Sequence, residues 1–432
     1  MIHGLNGSTL VTLELADYLQ SAGAIVEVYT YFFDNPSKHF FDEKEIKVTT
    51  TDDMPKYKMT DFDYIWTHSQ VLPMSIVDSL TLYEGEEDAP IFIFNHMSPF
   101  DWIPDERPYI YDLEERAASV SLFNSIETKE KQREYYTDKV PTLYFPNPAP
   151  VNFSKIKKVY NDKLEKVLIV SNHPPQELLE AKRLLGDRGV RVDSFGELSE
   201  NYSLITPEII SEYDAVITIG KTVQYCLVAG VPVYIYDHFG GGGYLNEDNL
   251  EEVASRNFSG RDHEIKKEAH QIVQDLIDEY GGATDFHKRK RKDFIERFCI
   301  SNVFPAVMGE IERRDIEPFD LRYANTVKSA QEFAKIRFVE GSRHMNSARH
   351  ADQLKGRVDE LEASHKDIVS QLDYERLENM KIKASHKDIV SQLDYERLEN
   401  TKIKASSSHK IGLFVTYPIR VIRTAIVNLR RK

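Results

Sequence analysis

The chain has 432 residues, with 55 Lys and Arg set against 70 Asp and Glu, a formal charge of −15 at neutral pH. That length predicts two or three domains, and 41% hydrophobic content is ample for packed cores. The acidic balance argues against general nucleic-acid binding. The two cysteines, Cys226 and Cys299, are widely separated and supply neither a disulfide framework nor a metal-ligand spacing.

The start lacks a basic stretch followed by an apolar one, so no signal peptide is expected. No apolar run reaches the roughly 18 residues a spanning helix needs. A reducing cytoplasm is the expected compartment.

The first 150 residues alternate helix and strand patterns. Only Met1 to His3 precede the glycine-containing stretch Gly4 to Ser8, so the first strand is short. Ser8 to Ser21 is amphipathic, begins with Ser and Thr as caps, and stops at Gly23. AIVEVYTYF follows as a strand rich in β-branched and aromatic residues. DYIWTH (Asp63 to His68), APIFIFNH (Ala89 to His96) and SVSLFNS (Ser119 to Ser125) are short apolar runs of the buried-strand type. This rhythm predicts parallel strands joined by crossover helices.

A second unit opens at KVLIVSNHPP (Lys166 to Pro175) and repeats the β-α-β-α pattern as far as VPVYIYDH. Between the units lies YFPNPAPVNF (Tyr144 to Phe153), whose three prolines predict an inter-domain connection. The expected fold is α/β: a Rossmann-like doubly wound domain over 1–150, and a second over 151–340 with closing helices. Two such domains place a cleft at the carboxyl ends of their strands.

From about Glu264 to Arg337 the pattern is mostly helical. It includes the basic HKRKRK (His287 to Lys292), expected as a solvated helix face, or more specifically a contact with anionic lipid. A coiled coil is expected over 345–406. There ASHKDIVSQLDYERLENMKIK (Ala363 to Lys383) recurs as Ala384 to Lys404 with one change, Met380 against Thr401. Leu354, Leu361, Ile368, Ile382, Ile389 and Ile403 share one heptad position. Val358, Leu372 and Leu393 share another, while Glu375, Glu396, His365, Asn379, His386 and Asn400 interrupt the seam. Duplicating three whole heptads lengthens the rod by roughly 30 Å without rotating its face. The seam predicts a homo-oligomer.

The tail, 407–432, carries Arg420, Arg423, Arg430, Arg431 and Lys432. In Ile411 to Lys432 there is no acid. Basic and apolar residues separate on a helical wheel, which predicts an amphipathic helix lying on an anionic membrane surface. The expected location is therefore cytoplasmic, peripheral on the inner face of the cell membrane.

Two features of the second unit point at phosphate. Gly220-Lys221-Thr222 stands at a strand-to-helix junction, where a helix N-terminus offers N–H groups and Lys221 adds a full charge. It is not a Walker motif, because the preceding residues are DAVITI. The run Gly240 to Gly243 follows VPVYIY and is expected as a loop, either a phosphate cradle or a tight turn. Together they suggest a diphosphate.

Taken in order, these segments resemble a GT-B glycosyltransferase, close to the family 4 type that uses nucleotide-sugar donors. The resemblance covers roughly residues 1–320. It is carried by Gly4-Leu5-Asn6-Gly7-Ser8, DYIWTHS, IFNHMSP, LFNSIETKEKQREYY, NPAPVNF and AGVPVYIYDHFGGGGYL. It implies a nucleotide-sugar substrate, no separate cofactor, and donor contacts from Gly7, Lys221, Thr222, Gln224, Tyr225, Gly240, Gly241, Gly242 and Gly243. The chain departs from the family where a ribose-binding Glu is usual: Tyr225 stands there, preceded by Gln224. His173 occupies a place where Arg is expected, and Lys221 is the candidate to compensate.

Glycosyl transfer needs stabilisation of a leaving diphosphate and a base, or simple positioning, for the acceptor hydroxyl. His96 is the preferred base, with His68, Asp101 and Asp105 as further candidates; hydrogen-bonded structural histidines are the other reading of the first two. No acidic pair of the DxD type stands at a strand end, and Asp52-Asp53 lies in a polar loop, so no metal is expected. The acceptor class expected is a lipid-linked or cell-surface polysaccharide. The alternatives are a catalytically degenerate head on a coiled-coil scaffold that recruits other enzymes, or another activity on the same fold, such as an epimerase or a phosphate-polymer transferase.

Overall fold

Short β-branched runs become parallel strands here because helices cover them on both faces. A computed structural model of the chain describes all residues except 1, 3, 51–56, 69–70, 84, 86–88, 101–106, 200, 262–265, 318–320 and 406–432. The chain forms two compact units, Met1–Arg343 and His344–Lys432. The first holds mixed α/β structure. β1 (Glu27–Thr30) and β2 (Lys47–Thr50) form a parallel pair. β3 (Tyr64–His68), β4 (Ile91–His96), β5 (Ala118–Phe123) and β6 (Thr142–Tyr144) form a parallel sheet in that order. A second sheet has the order β11-β10-β9-β7-β8. Its members are β7 (Lys166–Val170), β8 (Arg191–Phe195), β9 (Ala215–Thr218), β10 (Val233–Asp237) and β11 (Gly240–Tyr244). All its neighbours run parallel except β10 and β11.

The first helix is Gly7–Ser21. Its cap is Asn6, whose side chain accepts from Thr9 N–H, rather than the Ser or Thr expected from sequence.

The four glycines are not a loop. Gly240–Tyr244 is the edge strand β11, turned back on β10 after His238 and Phe239. A Cβ on Gly241 would stand 2.0 Å from the Ile235 carbonyl oxygen, and Gly240 and Gly243 both have φ of +92°. The missing side chains therefore answer to a tight backbone return, the second of the two readings offered by the sequence rather than the open cradle.

The connection between the sheets is clamped rather than loose. Ala149 N–H donates to the Phe298 carbonyl at 2.7 Å, and Ile300 N–H donates to the Ala149 carbonyl at 2.9 Å. From there the chain leaves the second sheet. Val303 and Val307, in the helix Ile300–Gly309, pack with Ile93, Val120 and Leu122 of the first sheet. Ile316 and Val327 join Phe92 and Phe94 on its other face. Sequence reading placed all of 151–340 with the second sheet. The closing helices instead bind the two halves together.

The basic HKRKRK run is only partly a solvated face. His287 is fully buried and its ring nitrogen Nδ1 donates to the Ala283 carbonyl at 2.8 Å. Arg291 donates to the carbonyls of Val228, Ser154 and Ile156, closing the ends of two helices. Burial holds the His287 pKa down to about 4. A histidine depressed in the folded state stabilises the fold above its ordinary value of 6.5, and that contribution is lost as pH falls toward 4. We expect about 3 kcal/mol from His287 alone over this window. Denaturant titrations between pH 7.5 and 4.5 should show it, and His287→Leu should flatten the slope. An unchanged slope in the variant would contradict the assignment.

The helix Leu321–Ala405 runs through both copies of the 21-residue repeat. Within the second unit, Val358, Leu361, Ile368, Leu372, Ile382, Ile389 and Leu393 are all exposed in the single chain. Each repeat carries the same short-range ion pairs: Asp373–Arg376 and Glu378–Lys381 in one, Asp394–Arg397 and Glu399–Lys402 in the other. Among the described residues no helix is long and apolar enough to cross a membrane. The tail residues Arg420, Arg423, Arg430, Arg431 and Lys432 lie outside the described residues.

Candidate active site

Loops leaving the carboxyl ends of the two large sheets meet. From the first half come Leu5, Glu14 of the Gly7–Ser21 helix, Phe100 after β4, and Glu127 after β5. From the second come Tyr202 after β8, Lys221 after β9, Phe239 after β10, and Arg261. The Tyr202 hydroxyl accepts from Leu5 N–H at 3.0 Å. Lys221 Nζ pairs with Glu14 Oε2 at 2.6 Å, and Arg261 pairs with Glu127 Oε2 at 2.5 Å.

His96 ends β4 and is 5% exposed. Its Nε2 lies 2.8 Å from Glu114 Oε1, and Glu114, fully buried, also accepts from Ser121 Oγ. The ring stacks on Phe123 with centroids 4.9 Å apart, and the Tyr136 hydroxyl stands 3.4 Å from Nε2. A carboxylate accepts only, so it fixes the proton on Nε2 and leaves Nδ1 with the lone pair. A ring oriented in this way is the arrangement of a general base and its orienting partner. No local pattern marks Glu114 as that partner, since it sits 18 residues away on the helix Tyr111–Ala117.

His68 ends the neighbouring strand, with its residue opposite Asn95. The Asn95 amide nitrogen lies 3.1 Å from His68 Nδ1 and donates to it, so Nε2 carries the proton. Burial holds the His68 pKa down to about 4. His68 is therefore neutral at pH 7, with Nε2 as a hydrogen-bond donor. Asp101 and Asp105, and the pair Asp52 and Asp53, lie outside the described residues.

The expected donor residues of the second half are placed differently from the sequence reading. Gly220 caps the helix Lys221–Ala229 with φ of +63°, which only glycine takes without strain. Lys221 is 7% exposed. Besides Glu14, its ammonium donates to the carbonyls of Asn147 (3.0 Å) and Pro148 (2.5 Å) in the connection. It is committed to the junction, not offered to a ligand. Thr222 is buried. Gln224 is fully buried, and in the amide orientation that satisfies both of its ends the nitrogen donates to the carbonyls of Gly220 and Lys221, both at 2.8 Å. Tyr225 stacks on Phe153 at 4.4 Å and donates its hydroxyl to Glu14. None of these side chains stands free for a ribose. Gly7 differs. It is exposed at the start of its helix, and nothing lies within 4 Å of where its Cβ would be.

Sequence reasoning missed Glu14, Glu114, Glu127 and Arg261. Glu14 carried a signal: an acid three residues after Val11, on a helix that buries Val11 and Leu15. Arg261, in the plain run NFSGR, carried none.

No family model matches the chain, and no curated protein matches it in sequence. Among solved structures it is similar to HepE of Anabaena in complex with UDP and glucose, at 14% identity and a TM-score of 0.45 over 70% of this chain and 95% of that one. It is similar to the same protein in complex with UDP-glucose, at 12% identity and a TM-score of 0.46 with the same coverage. It is also similar to the O-GlcNAc transferase of Thermobaculum terrenum, at 11% identity and a TM-score of 0.38 over 75% of this chain and 66% of that one.

Proposed function

We propose that the chain is a GT-B glycosyltransferase that moves a sugar from a nucleotide-sugar donor to a lipid-linked or cell-surface polysaccharide acceptor, without a metal. The observation that supports this best is the meeting of two doubly wound halves at the carboxyl ends of their strands, with the His96–Glu114 pair at one of those ends. Open α/β sheets bind ligands at that edge. In this reading His96 takes the proton of the acceptor hydroxyl through Nδ1, and Glu114 stabilises the imidazolium that forms. In this reading the start of the Gly7–Ser21 helix, where Gly7 is exposed, faces the donor.

Binding is tested by thermal shifts of the full chain with UDP, GDP, CDP, dTDP and their sugar conjugates. A ligand at 100 times its Kd stabilises by about 2.7 kcal/mol. One nucleotide standing out supports the reading, and a flat response to all of them removes it. The degenerate-scaffold reading has one observation in its favour: Lys221, Gln224 and Tyr225 are spent on internal contacts. A flat response would favour it.

The exposed seam of the Leu321–Ala405 helix supports a homo-oligomeric coiled coil, and the basic tail supports attachment to the inner face of the cell membrane. Sedimentation should give a concentration-dependent oligomer that truncation before residue 345 abolishes. A monomer at all concentrations would contradict the coiled coil.

A further inference from the structure

Arg261 is a cation of the second half that reaches across to the first and keeps donor capacity. Its guanidinium lies 4.8 Å from the Phe100 ring centroid and 5.7 Å from that of Phe239. Its terminal nitrogen pairs with Glu127 Oε2 at 2.5 Å, and its Nε is buried with no hydrogen-bond partner among the described residues. A guanidinium has five N–H donors, and a buried one left unpaired is costly. The backbone leading to it is unusual too. Asn257 and Phe258 are consecutive non-glycine residues with φ of +53° and +54°, and Gly260 packs its backbone against the Gly240 carbonyl. Strain of this kind persists where the surrounding structure fixes a functional segment.

Lys221 has three oxygen partners and is closed off. Among the described residues Arg261 has one carboxylate partner, drawn from the opposite half of the molecule, and a side chain 19% exposed. We propose that Arg261, not Lys221, takes the diphosphate group of the donor, and that Glu127 holds its place until that group arrives. The inference rests on the nucleotide-sugar reading above. A diphosphate offers more charge and more acceptor oxygens than one carboxylate, and it matches the fork of a guanidinium. Binding therefore exchanges Glu127 for phosphate at the same cation.

The exchange makes an unusual demand: the two members of one ion pair must affect binding with opposite signs. Calorimetric titration of the full chain with the four nucleoside diphosphates, and separately with inorganic pyrophosphate, reads this. Arg261→Gln is expected to weaken binding about 10- to 100-fold, the loss of charged hydrogen bonds. Glu127→Gln is expected to tighten it about 3- to 10-fold, because a competing like charge is removed. A pair that only straps the two halves together would leave affinity unchanged in both variants, or lower it in both, and either result overturns the proposal while the wild type's nucleotide binding keeps the donor reading. Opposed shifts with pyrophosphate, but no nucleotide bound, would keep the anion site and remove the donor reading. No binding of either probe by the wild type overturns both.

Discussion

Lys221→Met is expected to lower the stability of the Met1–Arg343 unit by about 3–5 kcal/mol, the usual cost of removing one member of a buried ion pair. The substitution is close in length and leaves the aliphatic packing near Tyr225, so the loss reports charge. Without the ammonium, Glu14 keeps the Tyr225 hydroxyl as a donor but has no cation in the junction. Burial already pushes the Glu14 carboxyl up and the Lys221 ammonium down, each opposed by the other's charge. The variant's Glu14 is free to take up a proton, so its deficit should shrink as pH falls. The sign follows because a carboxyl raised in the folded state binds protons that the unfolded chain releases. Adding Glu14→Gln should restore part of the loss, and the double-mutant cycle gives the coupling directly. Chemical denaturation of the four proteins is the measurement. A loss below about 1 kcal/mol, typical of an exposed pair, would mean the junction is solvated and the two halves are not locked there.

His96→Asn is expected to reduce glycosyl transfer about 100- to 10,000-fold, the range for losing a positioned general base. Asparagine keeps a polar group beside Glu114 and removes the titrating nitrogen, so nucleotide affinity should change little. Glu114→Gln should act through His96: it removes the carboxylate that orients the ring, so it is expected to lower kcat while leaving donor affinity intact. His68→Asn, by contrast, removes a neutral donor and is expected to have the smaller effect. Equal transfer by wild type and His96→Asn would end the assignment of His96 as the base.

The fold was legible because its signals are local. Apolar runs such as KVLIV and AVIT, each followed by a glycine, proline or cap, mark buried parallel strands without tertiary information. The strand-end histidines were legible for the same reason. The partners were not. Glu114 meets His96 across 18 residues, Glu14 meets Tyr225 across 211, and Glu127 meets Arg261 across 134. No periodicity encodes contacts of that range. Lys221 and the four glycines misled in an instructive way. A lysine beginning a helix after a strand reads as an anion ligand until a buried glutamate is found opposite it. A glycine run reads as an open cradle until its backbone is seen folded against Ile235. In both cases the residue type was right for close approach, and the sequence could not say what approached.

Turnover decides whether this fold is a glycosyltransferase. The full chain would be incubated with UDP-, GDP-, CDP- and dTDP-sugars, with and without glycan and lipid-linked acceptors, and release of nucleoside diphosphate would be followed. One donor class is expected to be consumed, faster with an acceptor present, and nearly all of that rate to be lost in His96→Asn. A folded, stable chain that consumes no donor with any acceptor would contradict the glycosyltransferase reading.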